Sequence, residues 1–175
     1  MNSIAELLAA SGVAVHRDDH VARPSAGSRV IYLHAGHLYA SAEPAQITTV
    51  LGSCVSVGLW DPVAAVGGMN HYMLPEDFGP NSATPRYANF AIRHLIEQLE
   101  VLGARRARLQ AKLYGGASVI SSPHVKASLG TKNIEVARAR LREASIPILA
   151  EDVGSNHGRK VIFSTTSGLA TVKRV

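Results

Sequence analysis

An α+β fold, in which strands and two helices follow in mixed order rather than strict alternation, is what this sequence predicts. Three observations carry that reading. Short β-type segments recur between Gly, Pro and Asp punctuation, two segments instead repeat their apolar residues every three to four positions, and no internal repeat or low-complexity tract interrupts them.

Taken in order, Val30 to Leu33, His37 to Ala40, Cys54 to Trp60 and Val66 to Leu74 read as strands. Asp61-Pro62 initiates a turn, so the last two form an antiparallel hairpin joined by about five residues. Over Arg86 to Leu102 the period changes, with Ile92, Leu95, Ile96, Leu99 and Leu102 on one face and Gly103 where a left-handed C-cap belongs. Ala107 to Tyr114 alternates into Gly115-Gly116 and predicts a strand that ends at a close backbone approach. A second helix carries Ile134, Ala137, Leu141 and Ala144 on one face, with Asn133 as its expected N-cap and Ile146-Pro147 as its stop. Ile148 to Val153, Lys160 to Ser164 and Leu169 to Lys173 read as three further strands, the last pair turned by Ser167-Gly168. Residues 1–28 turn polar after a short apolar stretch and read as a poorly packed N-terminal extension, which leaves 29–175 as one domain.

The 175 residues, 46% of them hydrophobic, suffice for one sizeable core. One cysteine excludes an internal disulfide, no charged-then-apolar leader opens the chain, and no apolar run approaches the roughly 20 residues that span a bilayer. The expected compartment is the cytoplasm, without membrane insertion. The net charge of +5 concentrates in Arg105-Arg106-Ala107-Arg108 and Arg138-Ala139-Arg140-Leu141-Arg142 and favours an acidic partner. Aromatics are 5% and are not interleaved with these arginines, which argues against a nucleic-acid stacking platform.

Chemistry concentrates at the lone thiol. Cys54 follows Gly52-Ser53 at the start of an apolar strand, and His71 lies in the return strand of the same hairpin. A thiol needs a base to become a useful nucleophile at neutral pH, and His71 is the best-placed imidazole. Gly52 permits the chain to turn sharply, so that the N–H groups of Ser53 and Cys54 can serve as donors to an oxyanion. A third group should hold the imidazole, and Thr48, Thr49, Asn70 and Asp61 are the candidates by chemistry. The bland alternative is a buried cysteine acting as a small hydrophobe.

The runs Leu51-Gly52-Ser53-Cys54-Val55, Trp60-Asp61-Pro62 and Gly67-Gly68-Met69-Asn70-His71-Tyr72-Met73-Leu74-Pro75 resemble the chemoreceptor glutamine deamidase family, CheD. Lys112 to Ala117, Gly130 to Asn133, Glu151 to Gly154, His157 to Phe163 and Ser167-Gly168 extend the resemblance, in order, from about Val30 to the C-terminus. It implies two packed mixed β-sheets flanked by helices, similar to the catalytic domain of cytotoxic necrotizing factors. It further implies Cys54 as nucleophile, His71 as base and Thr48, six residues before the cysteine, as the group that orients the histidine. The implied reaction is hydrolysis of glutamine side-chain amides on methyl-accepting chemotaxis receptors, without metal or organic cofactor, with glutamate methyl esters as a related substrate. Implied partners are those receptors and a CheC-type phosphatase. Arg86, Arg93 and Arg105 are the basic residues expected to steer an acidic receptor.

Two rivals stand beside this: another cysteine hydrolase, such as a peptidase or small-molecule amidase, and a non-catalytic docking module. A metal centre is disfavoured. His16 and His20 flank two aspartates in an irregular segment, and His34 and His37 lie either side of a turn. Ser121-Ser122-Pro123-His124 reads as a loop.

Overall fold

A computed structural model describes residues 28–80, 82–118 and 128–175. The extension expected over residues 1–28 lies, apart from Ser28, outside the described residues, as do His16, His20 and Ser121 to His124.

The strands are β1 (Arg29–Tyr32), β2 (His37–Ser41), β3 (Ala45–Leu51), β4 (Val55–Asp61), β5 (Val66–His71), β6 (Gln110–Gly115), β7 (Ile148–Val153), β8 (Arg159–Ser164) and β9 (Ala170–Arg174); the helices are α1 (Ala88–Val101) and α2 (Leu129–Glu143). They form two mixed sheets, one of order β1-β3-β8-β9 and one of order β2-β5-β4-β6-β7. The predicted β4–β5 hairpin is antiparallel, and parallel pairs occur at β1–β3 and β6–β7. Strands and helices thus mix as the pattern predicts.

Period-2 alternation explains how one strand serves two cores. In β4, Val55, Val57 and Leu59 face α1 and α2, while Trp60 packs into the cluster between the sheets with Ile47, Leu51, Met69, Tyr114 and Phe163. Helix α1 buries Ala88, Ala91, Ile92, Leu95, Ile96 and Leu99 along one stripe, the four large side chains contributing about 1.5–3 kcal/mol each. Its C-cap is Leu102, and Gly103 follows at φ +101, as the sequence predicts.

Three elements differ from the sequence reading. The pattern does not predict β3, which pairs with both β1 and β8 at the centre of its sheet. Its inward positions are Ala45, Ile47, Thr49 and Leu51, so a threonine occupies an apolar slot while exposed Val50 points outward. The segment predicted as a strand from Ala107 opens instead with a 3₁₀ turn at Arg106–Arg108. Helix α2 starts earlier than predicted: its N-cap is Ser128, whose hydroxyl accepts from the Thr131 N–H at 3.1 Å, and Asn133 is a fully buried residue inside the helix.

The arginine clusters are largely engaged within the fold. Arg108 donates to both oxygens of Asp61, whose carboxyl also accepts from the Arg105, Val63 and Ala64 N–H groups. Burial by itself would push the Asp61 carboxyl up, but Arg108 and these N–H groups hold it well below the usual carboxylate range. Arg106 pairs with Glu100, Arg138 with Glu151, and Arg140 with Glu76 and Glu143. No helix among the described residues is long and apolar enough to cross a membrane.

Candidate active site

Cys54 occupies the turn between β3 and β4, half-buried, and His71 is the buried last residue of β5. Val55 and Tyr72 exchange both main-chain hydrogen bonds, at 3.1 and 3.0 Å, and Cys54 and His71 each precede one partner of that bridge. In an antiparallel pair this puts the two side chains diagonally across from one another on one face. That face looks toward the four-stranded sheet. Cys54 packs against the inter-sheet cluster, and His71 Nδ1 lies 2.9 Å from Thr49 Oγ1 of β3.

The hydrogen bonds at Thr49 assign the imidazole's tautomer. Its hydroxyl has one hydrogen and donates it to the Leu33 carbonyl at 2.7 Å, so toward His71 its oxygen accepts. Nδ1 therefore carries the ring proton and Nε2 holds the free lone pair. Nε2 is buried and has no hydrogen-bond partner among the described residues.

Thr48 does not meet the histidine. Successive residues of a strand point to opposite faces, and with Thr49 inward Thr48 stands on the outer face of β3, paired in register with Tyr32 and Ile162. The other two candidates also lie elsewhere. Asp61 is at the far end of β4, and Asn70 uses its Oδ1 to accept from the Val57 N–H at 2.9 Å.

Gly52 and Ser53 are brought to the site, and three consecutive carbonyls around them are tied inward. Gly52 O accepts from the Ala117 N–H at 2.8 Å, Ser53 O from Asn133 Nδ2 at 3.0 Å, and Cys54 O from the Gly116 N–H at 2.7 Å. A trans peptide points its N–H opposite to its C=O, so anchoring Gly52 O and Ser53 O turns the Ser53 and Cys54 N–H groups the other way. No main-chain carbonyl among the described residues accepts from either.

Glycine chemistry makes this anchoring physically close. Gly115 adopts φ +98, and a Cβ there would lie 2.3 Å from Cys54 O. Gly116 follows at φ +68, and the first turn of α2 rests against it. Beneath the turn, Arg159 pairs in register with Leu51 and is buried, donating to Asp152 at 2.7 Å and to the His157 carbonyl.

Burial pushes the Cys54 thiol up, an effect partly offset by its own N–H. Burial likewise pushes His71 down, opposed by the Leu33 carbonyl and reinforced by His34 and His37. Both shifts favour a neutral thiol beside a neutral imidazole at rest. Among the described residues no three His, Cys, Asp or Glu side chains gather as a metal-ligand set. A separate cavity of about 460 Å³ between α1 and α2, lined by Asp77, Phe78, Phe90 and Arg93 among others, contains neither Cys54 nor His71.

Sequence reasoning overlooked Asn133 as a site residue. Its Nδ2 donates to Ser53 O and to Met73 O, both at 3.0 Å, and its main-chain carbonyl accepts from the Tyr72 hydroxyl at 2.7 Å. A polar residue on the apolar face that carries Ile134, Ala137 and Leu141 was the available signal.

Fold and site define an α+β protein of two packed mixed sheets with a cysteine and a histidine on one face at the seam. A family described as CheD chemotactic sensory transduction matches residues 73–174. The probable chemoreceptor glutamine deamidase CheD 1 of Anaeromyxobacter dehalogenans is 47% identical over 153 residues, covering 87% of this chain and 89% of its own length. The probable chemoreceptor glutamine deamidases CheD of Trichlorobacter lovleyi and Sulfurimonas denitrificans are 43% and 42% identical, over 83% and 82% of this chain and 91% and 93% of their own. The chain belongs to the CheD family. The family match begins two residues beyond His71, whereas the Anaeromyxobacter alignment covers too much of the chain for Cys54 or His71 to fall outside it.

Proposed function

We propose that this chain hydrolyses the side-chain amide of selected glutamines on methyl-accepting chemotaxis receptors, giving glutamate and ammonia and thereby tuning adaptation. The observation that carries the reading is the buried, Nδ1-protonated His71 on the same face as the Cys54 thiol, in a chain whose relatives are named chemoreceptor glutamine deamidases.

The steps balance within these residues. His71 Nε2 takes the thiol proton as Cys54 Sγ bonds to the amide carbon, and the carbonyl π electrons move to oxygen, which receives the Ser53 and Cys54 N–H groups. The imidazolium then protonates the amide nitrogen, the C–N bond breaks, and ammonia leaves a glutamyl thioester. Water next attacks the thioester carbon while His71 removes its proton. Sγ departs and is reprotonated, and the product is glutamate.

Thr49, not Thr48, is the residue that orients the base in this reading. Thr49→Val should lower turnover about 10- to 100-fold, because His71 loses the acceptor that fixes its tautomer, while Thr48→Val should stay within about twofold. Steady-state rates of the two variants check this, and equal losses would return the role to Thr48.

Exposed Arg86 lies over the Gly36 turn, whose N–H donates to His71 O, and so stands beside the site where an acidic receptor helix would arrive. Steering of this kind predicts activity that falls as ionic strength rises. A CheC-type phosphatase is proposed as a second partner on the family resemblance.

The deciding experiment is intact and peptide mass spectrometry of a chemoreceptor cytoplasmic fragment incubated with the parent protein and with Cys54→Ala. Conversion of glutamine to glutamate by the parent alone supports the deamidase. No conversion, with binding kept by both forms, makes it a docking module, and cleaved backbone makes it a peptidase.

A further inference from the structure

The thiol–imidazole reading leaves open what aims the oxyanion donors, and α2 supplies a side chain for that purpose. Of the three carbonyls that fix the Gly52–Cys54 turn, two are held by main-chain N–H groups of Gly116 and Ala117. The Ser53 carbonyl alone is held by a side chain, Asn133 Nδ2 at 3.0 Å. That carbonyl shares its peptide plane with the Cys54 N–H, so its direction sets the direction of the donor. The second hydrogen of Nδ2 goes to Met73 O at 3.0 Å, two residues past His71, while the main-chain carbonyl at 133 accepts from the Tyr72 hydroxyl at 2.7 Å whatever side chain stands there. One fully buried asparagine therefore joins the nucleophile's turn to the chain that carries the base.

We propose that Asn133 is a positioning residue that aims the Cys54 N–H at the developing oxyanion. The proposal rests on the Cys54–His71 reading above. An oxyanion forms only on the way to the tetrahedral intermediate, so misaiming its donor lowers kcat and leaves KM nearly unchanged. Complete loss of one such donor costs about 10²–10³-fold. Misaiming through Asn133→Leu should cost about 10- to 100-fold in kcat.

Alkylation of Cys54 by iodoacetamide separates this from loss of structure. Displacement of iodide by sulfur needs the activated thiol and His71 but develops no oxyanion. Asn133→Leu, near the size of the native residue and a good helix former, should keep the parental alkylation rate within about twofold across pH 5–9 while its deamidation kcat falls. If Asn133→Leu does not fold, as judged by its melting transition, Asn133→Ser is used in its place with the same expectation. Equal loss of alkylation and deamidation would reduce Asn133 to a structural residue and overturn the proposal, as would unchanged deamidation. His71→Ala should slow both reactions together. If it instead alkylates at the parental rate, the thiol–imidazole reading fails and takes the Asn133 proposal with it.

Discussion

Replacing His71 by alanine should lower glutamine conversion by about 10³-fold or more, within the range that a positioned general base contributes. The site's neutral ground state makes the dependence strong. Burial pushes the Cys54 thiol up and the His71 imidazole down, which favours the protonated thiol at rest, and in the proposed mechanism its proton passes to Nε2 as sulfur attacks. The fold should survive the substitution, because Thr49 still donates to the Leu33 carbonyl at 2.7 Å.

The pH profile carries the diagnosis. Since His71 is held below the ordinary imidazole value of about 6.5, the parent's acid limb should fall below that value, and activity should persist into mildly acidic solution. In His71→Ala the residual rate should instead climb only in alkaline solution, as the thiol ionises by itself. Linkage gives a second readout. The unfolded chain binds this proton more readily than the folded one, so the His71 contribution is complete above about pH 6.5 and declines as pH drops below it. Removing the imidazole should flatten that acid-side slope of stability. Rates and melting temperatures measured from pH 5 to 8 decide both, and a parental acid limb in His71→Ala would assign the titration to another group.

Gly115→Ala should destabilise the protein by about 2–6 kcal/mol and abolish activity. The residue sits at φ +98, where an L side chain is strained by about 1–3 kcal/mol, and its Cβ would meet Cys54 O at 2.3 Å and Leu51 Cβ at 3.2 Å. A main-chain oxygen fixed by the Gly116 N–H has nowhere to retreat without moving the nucleophile, so overpacking adds about 1–3 kcal/mol. Gly116→Ala is the informative contrast. Its Cβ would meet Ile134 Cδ1 and Cγ1 at 2.5 Å, side-chain rather than main-chain atoms, with the Gly130 oxygen farther off at 3.0 Å, and should cost less. Denaturant midpoints at unchanged m-values measure the difference. A Gly115→Ala protein as stable and active as its parent would show that the turn is not anchored through this carbonyl.

The fate of the arginines illustrates what composition leaves open. The two basic clusters argue for an acidic partner, yet Arg106, Arg108, Arg138 and Arg140 each reach a carboxylate of this same chain. Charge counted along a sequence does not say which charges face outward, because the pairing partners come from other elements.

Period and punctuation made most elements legible: the hairpin at Asp61-Pro62, the stripe of α1, and the strands ending at Gly115 and turned by Gly168. They failed at β3, where Thr49 takes an inward slot that pattern reserves for an apolar residue. That failure coincides with the candidate site, since the buried Thr49 hydroxyl meets the His71 imidazole at 2.9 Å. The sequence by itself determined that a glycine–serine turn delivers the lone thiol to a strand whose partner brings His71, because turn and hairpin are local. Only the tertiary structure decided which threonine holds the histidine, and that Asn133 joins the two halves of the site. The packing of β3 opposite β5 and the seating of α2 on the glycine pair depend on how two sheets and a helix come together, which no local spacing encodes.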